Sequence, residues 1–397
     1  MQIHLTNSQL SKLKSLLISN EEANIKLAFL LGKQCTLDSL QPIAKYFSKF
    51  PELCFDHLPA IYQSKKLLFD DLPTLPITDN SFQHLTHLTV LSLPERDLKK
   101  IPDSVQHLKQ LRRLNLSGNE LSELPKWLFS LTNLEYLDLS ENKIKEISQE
   151  ISNLHQLKIL YLHRNTDLTS LPVSIGSLTK LKILKVNECP IQTLPTSITN
   201  LHHLKVLEIS YCKLTSLPEN IGNLTELKTL TFIYNRIKVL PASFKHLEKL
   251  EYLDITDNSL EYLPQYIANF SNLAWFCFGY NQIEVLPNWL QTLNHLTILH
   301  ASNNKFNEIP EWLQNMTQLY SLDFADSNLT QLPSWIGKLK RLRFLYISNN
   351  QITSLPESLK QLNLREFIMC NNVLSDAEKR RIREELLPNT KINLDND

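Results

Sequence analysis

The sequence predicts an α/β fold of the solenoid class, in which one structural unit of about 23 residues repeats along most of the chain. Three observations support this prediction: an asparagine that recurs at a fixed interval, a proline that recurs in the same phase, and leucines whose spacing changes within each unit. Each unit of such an array contacts only its neighbours, so the 397 residues need not divide into ordinary globular domains.

Two columns of residues set the repeat register. The interval is 23 residues, apart from one of 24 after Asn165 and one of 22 before Asn372. The asparagine position is occupied by Asn119, Asn142, Asn165, Asn235, Asn258, Asn281, Asn304, Asn350 and Asn372, with Cys189, Cys212 and Ser327 in other repeats. The proline column comprises Pro102, Pro125, Pro172, Pro195, Pro218, Pro241, Pro264, Pro287, Pro310, Pro333 and Pro356, and only Ser148 interrupts it.

The unit therefore reads L-x-x-L-x-L-x-x-N-x-L-x-x-L-P-x-x-I-x-x-L, and each part predicts a local structure. The L-x-L alternation predicts a short strand whose leucines point into the core and whose intervening residue points outward. The asparagine side chain can satisfy backbone groups of the following turn. Proline ends the strand pairing, and the apolar three-residue spacing beyond it predicts a helical or 3₁₀ stretch. We expect serines two residues after the proline, such as Ser243, to act as helix caps.

This pattern closely resembles the leucine-rich-repeat family, in the intracellular subtype whose 23-residue repeats carry L-P-x-x-I-x-x-L. The resemblance covers about residues 67–394. It implies a curved solenoid with a parallel sheet on the concave side, short helical or 3₁₀ segments on the convex side, and a protein-binding role. The chain ending resembles those of bacterial members, so we expect a bacterial source.

Both ends of the array differ from the repeats. Residues 1–66 lack the pattern and contain helix signals such as Asn20 and Gly32, so we expect an all-helical N-terminal cap or small helical domain. Residues 67–374 form an array of about 13 units. From Ser375 onward the sequence predicts a C-terminal capping helix and tail over 375–397.

Composition and motifs argue against several functions. Lys plus Arg and Asp plus Glu both total 41, so we expect no nucleic-acid or membrane partner. The six scattered cysteines, and the lack of a signal-peptide or membrane-spanning pattern, indicate a cytoplasmic protein, with non-classical secretion left open. We find no nucleotide-binding, hydrolase or metal motif. We therefore expect a monomer with no enzymatic activity, catalytic residue, cofactor or metal.

Residues that depart from the repeat carry the candidate binding site, because the leucine, asparagine and proline columns serve the scaffold. Aromatic and apolar residues gather at positions expected on the concave face: Tyr161, His163, Tyr211, Ile233, Tyr234, Tyr252, Trp275 and Tyr280. Tyr211 and Tyr234 share one column and Tyr252 and Trp275 another, so each pair should be neighbours. Aromatic clusters on an exposed face are typical of interface hot spots, and we single out Trp275 because an exposed indole is hard to explain by stability alone. A ladder of aromatic residues that stabilises the sheet is the alternative.

Two further columns are candidate surfaces. Lys158, Lys182, Lys205 and Lys228 lie at one phase of successive repeats, as a solvated face or as a strip for an acidic partner. Trp289, Trp312 and Trp335 lie two residues after the proline, where we expect them to stack along the convex side. Packing over the convex turn is the simpler interpretation of these tryptophans, and a second interaction surface or oligomer contact is the alternative.

The sequence thus predicts a non-enzymatic scaffold that binds a protein or peptide on its concave face. The alternative is a secreted effector or surface-recognition protein that binds a host protein or a glycan.

Overall fold

The structure, a computed structural model, describes residues 66–68, 82 and 85–394. The helical cap expected at the N-terminus lies outside the described residues, except for Lys66, which belongs to a strand. The chain forms two compact units, the first over Met1–Leu184 and the second over Lys185–Asp397. The two units share the same architecture and are described one after the other.

The strands are short, and each described repeat contributes one strand of three residues. They are β1 (Lys66–Leu68), β2 (Val90–Ser92), β3 (Arg113–Asn115), β4 (Tyr136–Asp138), β5 (Ile159–Tyr161), β6 (Ile183–Lys185), β7 (Val206–Glu208), β8 (Thr229–Thr231), β9 (Tyr252–Asp254), β10 (Trp275–Cys277), β11 (Ile298–His300), β12 (Ser321–Asp323), β13 (Phe344–Tyr346), β14 (Glu366–Ile368) and β15 (Lys391–Asn393). Each strand lies on the predicted L-x-L alternation, which confirms that element of the repeat.

All strand pairs within a unit are parallel and follow chain order. In the first unit β1 to β5 pair in sequence. In the second unit β7 to β15 do the same. Equivalent positions of adjacent repeats lie directly opposite one another, as Tyr252 does to Trp275 and Asp254 to Cys277. A column in the sequence is therefore a row of neighbouring side chains on the sheet.

A 3₁₀ helix follows the proline position in each of the repeats that begin with β2 to β13. These helices span Asp103–His107, Lys126–Ser130, Gln149–Asn153, Val173–Ser177, Thr196–Asn200, Ile221–Asn223, Ala242–His246, Gln265–Asn269, Asn288–Thr292, Glu311–Asn315, Ser334–Lys338 and Glu357–Gln361. The prolines hold the extended backbone that precedes each helix, as at Pro241 with φ −66° and ψ 151°. The predicted helical or 3₁₀ stretch is confirmed.

The expectation that serines two residues after the proline cap these helices is wrong. The cap residue is the proline itself except at Asn220, which precedes the helix Ile221–Asn223, and at Ser148, which replaces the proline in one repeat and accepts a hydrogen bond from the Glu150 amide. The later serine instead joins neighbouring repeats. Ser243 accepts from the Gly222 amide at 3.1 Å and donates to the Glu219 carbonyl. Helices of successive repeats can therefore approach very closely.

The core is a stack of leucine, isoleucine and phenylalanine layers, bounded at one edge by the asparagine column. Asn258 shows the arrangement. Its Nδ2 donates to the carbonyl of Phe232 at 2.9 Å and to that of Ile255 at 3.1 Å, and its Oδ1 accepts from the Ile237 amide at 3.1 Å. The predicted role of this side chain in satisfying buried backbone groups is confirmed.

The C-terminal end of the second unit changes structure after the last repeat. An α-helix spans Asp376–Arg381, and its cap residue Ser375 accepts a hydrogen bond from the Glu378 amide at 3.2 Å. A π-helical turn at Ile382–Leu386 follows, and β15 then pairs with β14. The leucines of this segment are buried, so it covers the apolar side of the final repeat.

Candidate partner-binding site

The strands of the second unit present a surface that we call the strand face. It consists of the first and third strand residues, the residue two positions beyond the strand and the residue after that. The middle strand residue points the other way and is buried, as Leu253 and Phe276 are. Several outward residues, among them Asp254 and Cys277, are also largely covered, because larger neighbours in the adjacent columns lean over them. The strand face is therefore less open than the alternation alone predicts.

Tyr211 and Tyr234 form the most exposed aromatic pair of the strand face. Their ring centroids are 5.4 Å apart with an interplanar angle of 22°, and the rings are stacked. The side chains are 55% and 56% exposed. The predicted neighbourhood of these two residues is confirmed, but they lie in the turn after the strand and not on the strand itself.

The backbone at these tyrosines is left-handed. Tyr211 has φ 55°, Tyr234 has φ 54° and Tyr280, which is 48% exposed, has φ 52°. Other repeats place Asp, Asn or Glu there, and the first unit also has Gly118 and Arg164 at the position. A left-handed conformation costs a residue with a Cβ about 1–2 kcal/mol, and Asn or Asp tolerate it better than an aromatic residue does. Exposed tyrosines at this position are therefore not explained by the stability of the turn.

Ile233 lies beside the tyrosine pair and is half-exposed. Its amide donates to Ser210 Oγ at 3.1 Å, and its carbonyl accepts from the Tyr211 amide at 2.7 Å. Ile233 thus adds an apolar side chain next to the stacked rings.

Tyr252 and Trp275 form a second pair, at the first positions of β9 and β10. Their ring centroids are 5.1 Å apart, which confirms the predicted pairing. The expectation of an exposed indole is wrong, because Trp275 is half-buried between Tyr252 and His300, whose ring lies 6.2 Å away. The indole Nε1 donates to Cys277 Sγ at 2.8 Å. Part of Trp275 therefore serves packing within the strand face.

These rings continue into a longer chain of contacts that we call the aromatic band. It runs Tyr252, Trp275, His300, Tyr346, Phe344 and Tyr320. His300 and Tyr346 are 6.2 Å apart although the strand β12 separates them. Ser321 on that strand is small, and its hydroxyl lies 2.8 Å from His300 Nε2. His300 is not among the site residues that the sequence predicts, although it lies 23 residues after Cys277 and therefore in the column of Cys277.

Partly buried ionisable groups accompany the band. Burial raises the pKa of Asp254 and of Asp323. Burial also lowers the pKa of His300, against the opposing charges of Asp323 and Asp254, which favours the neutral imidazole near pH 7. Cys277 has a raised pKa for the same reason and remains a neutral thiol. Sequence reasoning missed these groups, because their burial depends on the rings of neighbouring columns.

Tyr161 and His163 belong to the first unit and are described separately. Tyr161 contacts Tyr136 at 5.6 Å and His163 at 6.0 Å between ring centroids. The Arg113 guanidinium lies 4.3 Å from the centre of the Tyr136 ring, and the Tyr136 hydroxyl donates to Asp138 at 2.9 Å. The first unit thus has its own small aromatic group, in which an arginine accompanies the aspartate.

The four lysines of the predicted strip also divide between the units. In the first unit Lys158 pairs with Glu135 at 2.6 Å, and Lys182 is exposed. In the second unit Lys228 pairs with Glu251 at 2.5 Å, and Lys205 is exposed. Glu135 has a lowered pKa because Lys158 hydrogen-bonds to it. Such solvent-exposed pairs contribute little stability, but they offset part of the positive charge of the column.

Trp289, Trp312 and Trp335 lie in the 3₁₀ helices of the second unit, on the side of the repeat away from the strands. All three are half-buried. Within residues 85–394 they make no ring–ring contact with one another, so the expected stacking is wrong. Trp127 at the same phase donates to Asp103 in the preceding repeat at 3.3 Å. The half-burial agrees with packing over the turn.

Comparison with known proteins identifies the repeat. Family models of the leucine-rich repeat match residues 74–121, 126–202, 195–276, 295–316 and 341–362. A leucine-rich-repeat protein of Leptospira interrogans is 35% identical, with 79% of this chain and 80% of that chain covered and a TM-score of 0.75. The chain belongs to the leucine-rich-repeat family.

Two other solved structures are similar over most of the chain. A plant peptide hormone receptor, RGFR1 in complex with RGF2, is 29% identical with a TM-score of 0.67, covering 80% of this chain and 53% of that one. An internalin of Listeria monocytogenes, InlF, is 27% identical with a TM-score of 0.57, covering 71% and 86%. No curated protein matches the sequence. Among the described residues, no helix combines the length and apolarity that crossing a membrane requires.

Proposed function

We propose that this protein is a non-enzymatic binding scaffold that holds a peptide, or an extended segment of a protein, on the strand face of the second unit. The exposed stack of Tyr211 and Tyr234 carries the proposal. Two aromatic residues occupy a strained backbone position where smaller polar residues fit better, and half of each side chain remains in contact with solvent. Exposed aromatic anchors of this kind are typical of binding hot spots.

The aromatic band and the relatives support the same function. Tyr252 and Trp275 place further aromatic surface on the same strand face. Repeat solenoids use their strand surface to bind extended partners. RGFR1, which shares the fold, was solved in complex with RGF2. A peptide that lies across several strands would contact outward side chains of successive repeats.

A peptide selection tests the proposal directly. The full-length chain is used to select binders from a random peptide library displayed on phage, and the selected peptides are then synthesised and titrated by calorimetry. The main variant is Tyr211→Asn with Tyr234→Asn, because Asn already occupies the same left-handed position at Asn303 and Asn349. We expect this variant to lose at least about tenfold in affinity, as hot-spot residues do.

A matched control separates binding from general loss of exposed aromatic surface. Tyr262 belongs to the same unit, is 56% exposed and lies outside the strand face. Tyr262→Ala should leave affinity unchanged. A second variant, Trp275→Ala with Tyr234→Ala, should also lose binding. If selected peptides bind that variant and the double asparagine variant as tightly as the wild type, the proposed site is wrong.

We further propose a cytoplasmic location and a monomeric state. Four cysteines of the described part, Cys189, Cys212, Cys277 and Cys370, are free thiols, which fits a reducing compartment. Fractionation of the native cell tests the location, and recovery of the protein outside the cell would favour the secreted effector or surface-recognition alternative. Light scattering on the purified chain tests the monomer, and a dimer lost on changing Trp312 would favour an oligomer contact through the tryptophans.

A further inference from the structure

The charged residues of the second unit are unevenly distributed. In the repeats of β9 to β12, the four outward columns of the strand face contain four aspartates, Asp254, Asp257, Asp323 and Asp326. The same positions contain no lysine or arginine. The whole chain, by contrast, has equal numbers of acidic and basic residues. We call this part of the strand face, with its aromatic band, the acidic face.

The aspartates of the acidic face have only neutral partners in the structure. Asp254 accepts from the Thr256 amide at 3.0 Å, and Asp323 accepts from the Ala325 amide at 2.9 Å. The Asn349 side-chain amide donates to Asp326 at 2.8 Å. Within residues 85–394, none of the four aspartates forms an ion pair with a lysine or an arginine.

The carboxylates are also partly desolvated. Burial raises the pKa of Asp254, Asp257 and Asp323, so each ionised carboxylate is less stable there than in water. His300 lies between Asp254 and Asp323 in the same column, and its lowered pKa leaves it neutral near pH 7. Among residues 85–394, the aspartates of the acidic face therefore carry their negative charge without a paired lysine or arginine.

The rings beside these carboxylates suit the rest of a basic side chain. Arg and Lys have long apolar stems that pack on apolar surface while the charged end reaches a carboxylate. Tyr252 and Trp275 flank Asp254, and Tyr346 flanks Asp323 in the neighbouring strand. Small residues, Gly279, Ser302 and Ala325, fill the next column, and a Cβ on Gly279 would lie 2.9 Å from Ser302 Oγ. The residues of this column are small, so the rings of Tyr252, Trp275 and Tyr346 are the largest side chains beside the two aspartates.

We propose that the acidic face binds a peptide segment with two basic side chains, one directed to Asp254 and the other to Asp323. This inference rests on the proposed function and adds the chemistry of the partner. β9 and β12 are three strand steps apart, which is about 14 Å at a strand spacing of about 4.8 Å. An extended peptide advances about 3.3 Å per residue, so about four residues span this distance. The expected motif has basic residues at positions i and i+4, in a segment that runs across the strands.

The test uses a defined probe and isosteric variants. The probe is the blocked heptapeptide Gly-Arg-Gly-Ser-Gly-Arg-Gly, and a second peptide replaces both arginines with glutamates. Binding to the full-length chain is followed by nuclear magnetic resonance at the indole N–H of Trp275, assigned with Trp275→Phe. We expect the arginine peptide to shift this signal, with an affinity that falls as salt is added, and the glutamate peptide to leave it unmoved.

The decisive variant is Asp254→Asn with Asp323→Asn. Asn115 occupies the same column in the first unit and accepts from the Ser117 amide at 2.9 Å, so asparagine preserves the local turn. We expect at least a tenfold loss of affinity for the arginine peptide. Asp138→Asn, in the same column of the first unit, is the matched control and should bind the probe normally.

The outcomes distinguish a failure of the basic-partner inference from a failure of the proposed binding function. Arginine and glutamate peptides that bind equally, no binding of either, or undiminished binding by the double aspartate variant would overturn the inference. If the affinity of library-selected peptides depends on Tyr211 and Tyr234 but not on Asp254 and Asp323, the inference of a basic partner is wrong and the proposed function is retained. Selected peptides rich in Arg or Lys at i and i+4 that lose affinity in the aspartate variant would support both.

Discussion

Tyr211 and Tyr234 stack on one another while both hold a left-handed backbone, at φ 55° and 54°. The stack recovers about 0.5–1.5 kcal/mol beyond the burial of the rings. The backbone at the two positions together costs about 2–4 kcal/mol. The stacking free energy therefore does not by itself offset the backbone cost of tyrosine at the two positions, and the rings remain half exposed. A partner that covers the rings would add the missing stabilisation.

This relationship predicts that the double variant Tyr211→Asn with Tyr234→Asn remains folded. Asparagine tolerates the left-handed conformation, so relief of backbone strain offsets loss of the stack, and we expect the free energy of unfolding to change by less than about 1 kcal/mol. Urea denaturation followed by circular dichroism measures the change. A loss well beyond that range would show that the stack is structural, and would weaken the argument for a binding role.

Much of the scaffold could be predicted from the sequence, because the columns report a physical period. Asn258 satisfies three buried backbone groups of its repeat, and the other asparagines of the column have the same role in theirs. The recurrence of asparagine at this position therefore reveals the turn. The neighbourhood of Tyr211 and Tyr234 followed from the same register. Their left-handed backbone did not, since residues as different as Glu188, Arg164 and Asn303 occupy the position and no single residue type marks it in the sequence.

The burial of residues in the candidate site could not be predicted from the sequence. Asp254 lies in an outward column, and alternation alone predicts that it is solvated. Its burial depends on where the Tyr252 and Trp275 rings turn, which depends on side-chain rotamers. His300 contacts Tyr346 across the intervening strand β12, and the Ser321 hydroxyl on that strand lies 2.8 Å from the imidazole. Such relationships join side chains of two columns on neighbouring strands, and no single column reveals them.

Close packing of successive 3₁₀ helices predicts a strong effect at Gly222. A Cβ added there would lie 1.9 Å from the Ser243 carbonyl oxygen, well inside van der Waals contact. Gly222→Ala must therefore push the two helices apart, and we expect it to lower the free energy of unfolding by about 1–3 kcal/mol. Thermal and urea unfolding measure the loss. Asn223→Ala changes an exposed neighbour in the same helix and should cost much less, and equal losses in the two variants would contradict the packing argument.

The asparagine column predicts that a substitution at Cys212 stabilises the chain. The Cys212 thiol lies 3.4 Å from the Val186 carbonyl and 3.5 Å from that of Ser210, and it makes weaker hydrogen bonds than an amide. Cys212→Asn would supply the donors and acceptor that Asn258 has, so we expect the free energy of unfolding to rise by about 1–2 kcal/mol.

The reverse change provides the comparison for this prediction. Asn258→Cys leaves buried backbone groups without full partners, and we expect a loss of about 2–4 kcal/mol. Both variants are measured by urea denaturation under reducing conditions. If Cys212→Asn destabilises the chain, the site around Cys212 has adapted to the thiol and the repeats are not interchangeable at this position.

The pKa shifts of His300 and of the aspartates beside the aromatic band predict opposite effects of pH on the free energy of unfolding. His300 has a pKa below its ordinary value of 6.5, so below that pH the unfolded chain binds more protons than the folded chain. Its contribution therefore makes the free energy of unfolding fall as pH drops below 6.5. Asp254 has a pKa above its ordinary value of 3.8, so its contribution is most favourable below that value and is lost as pH rises through the folded-state pKa. Asp323 behaves in the same way.

The histidine part of this dependence can be isolated with His300→Gln. Glutamine keeps a hydrogen-bonding group near Ser321 but does not titrate, so the variant should lose less stability than the wild type between about pH 7 and pH 5. Urea denaturation at several pH values measures both slopes. His246→Gln, which removes an exposed histidine of the same unit, should keep the wild-type slope. If His300→Gln and the wild type respond identically to acid, the imidazole takes up protons as readily in the folded chain as in the unfolded one. His300 would then not be held neutral in the folded chain. Its positive charge when protonated would compete with a basic partner for the aspartates.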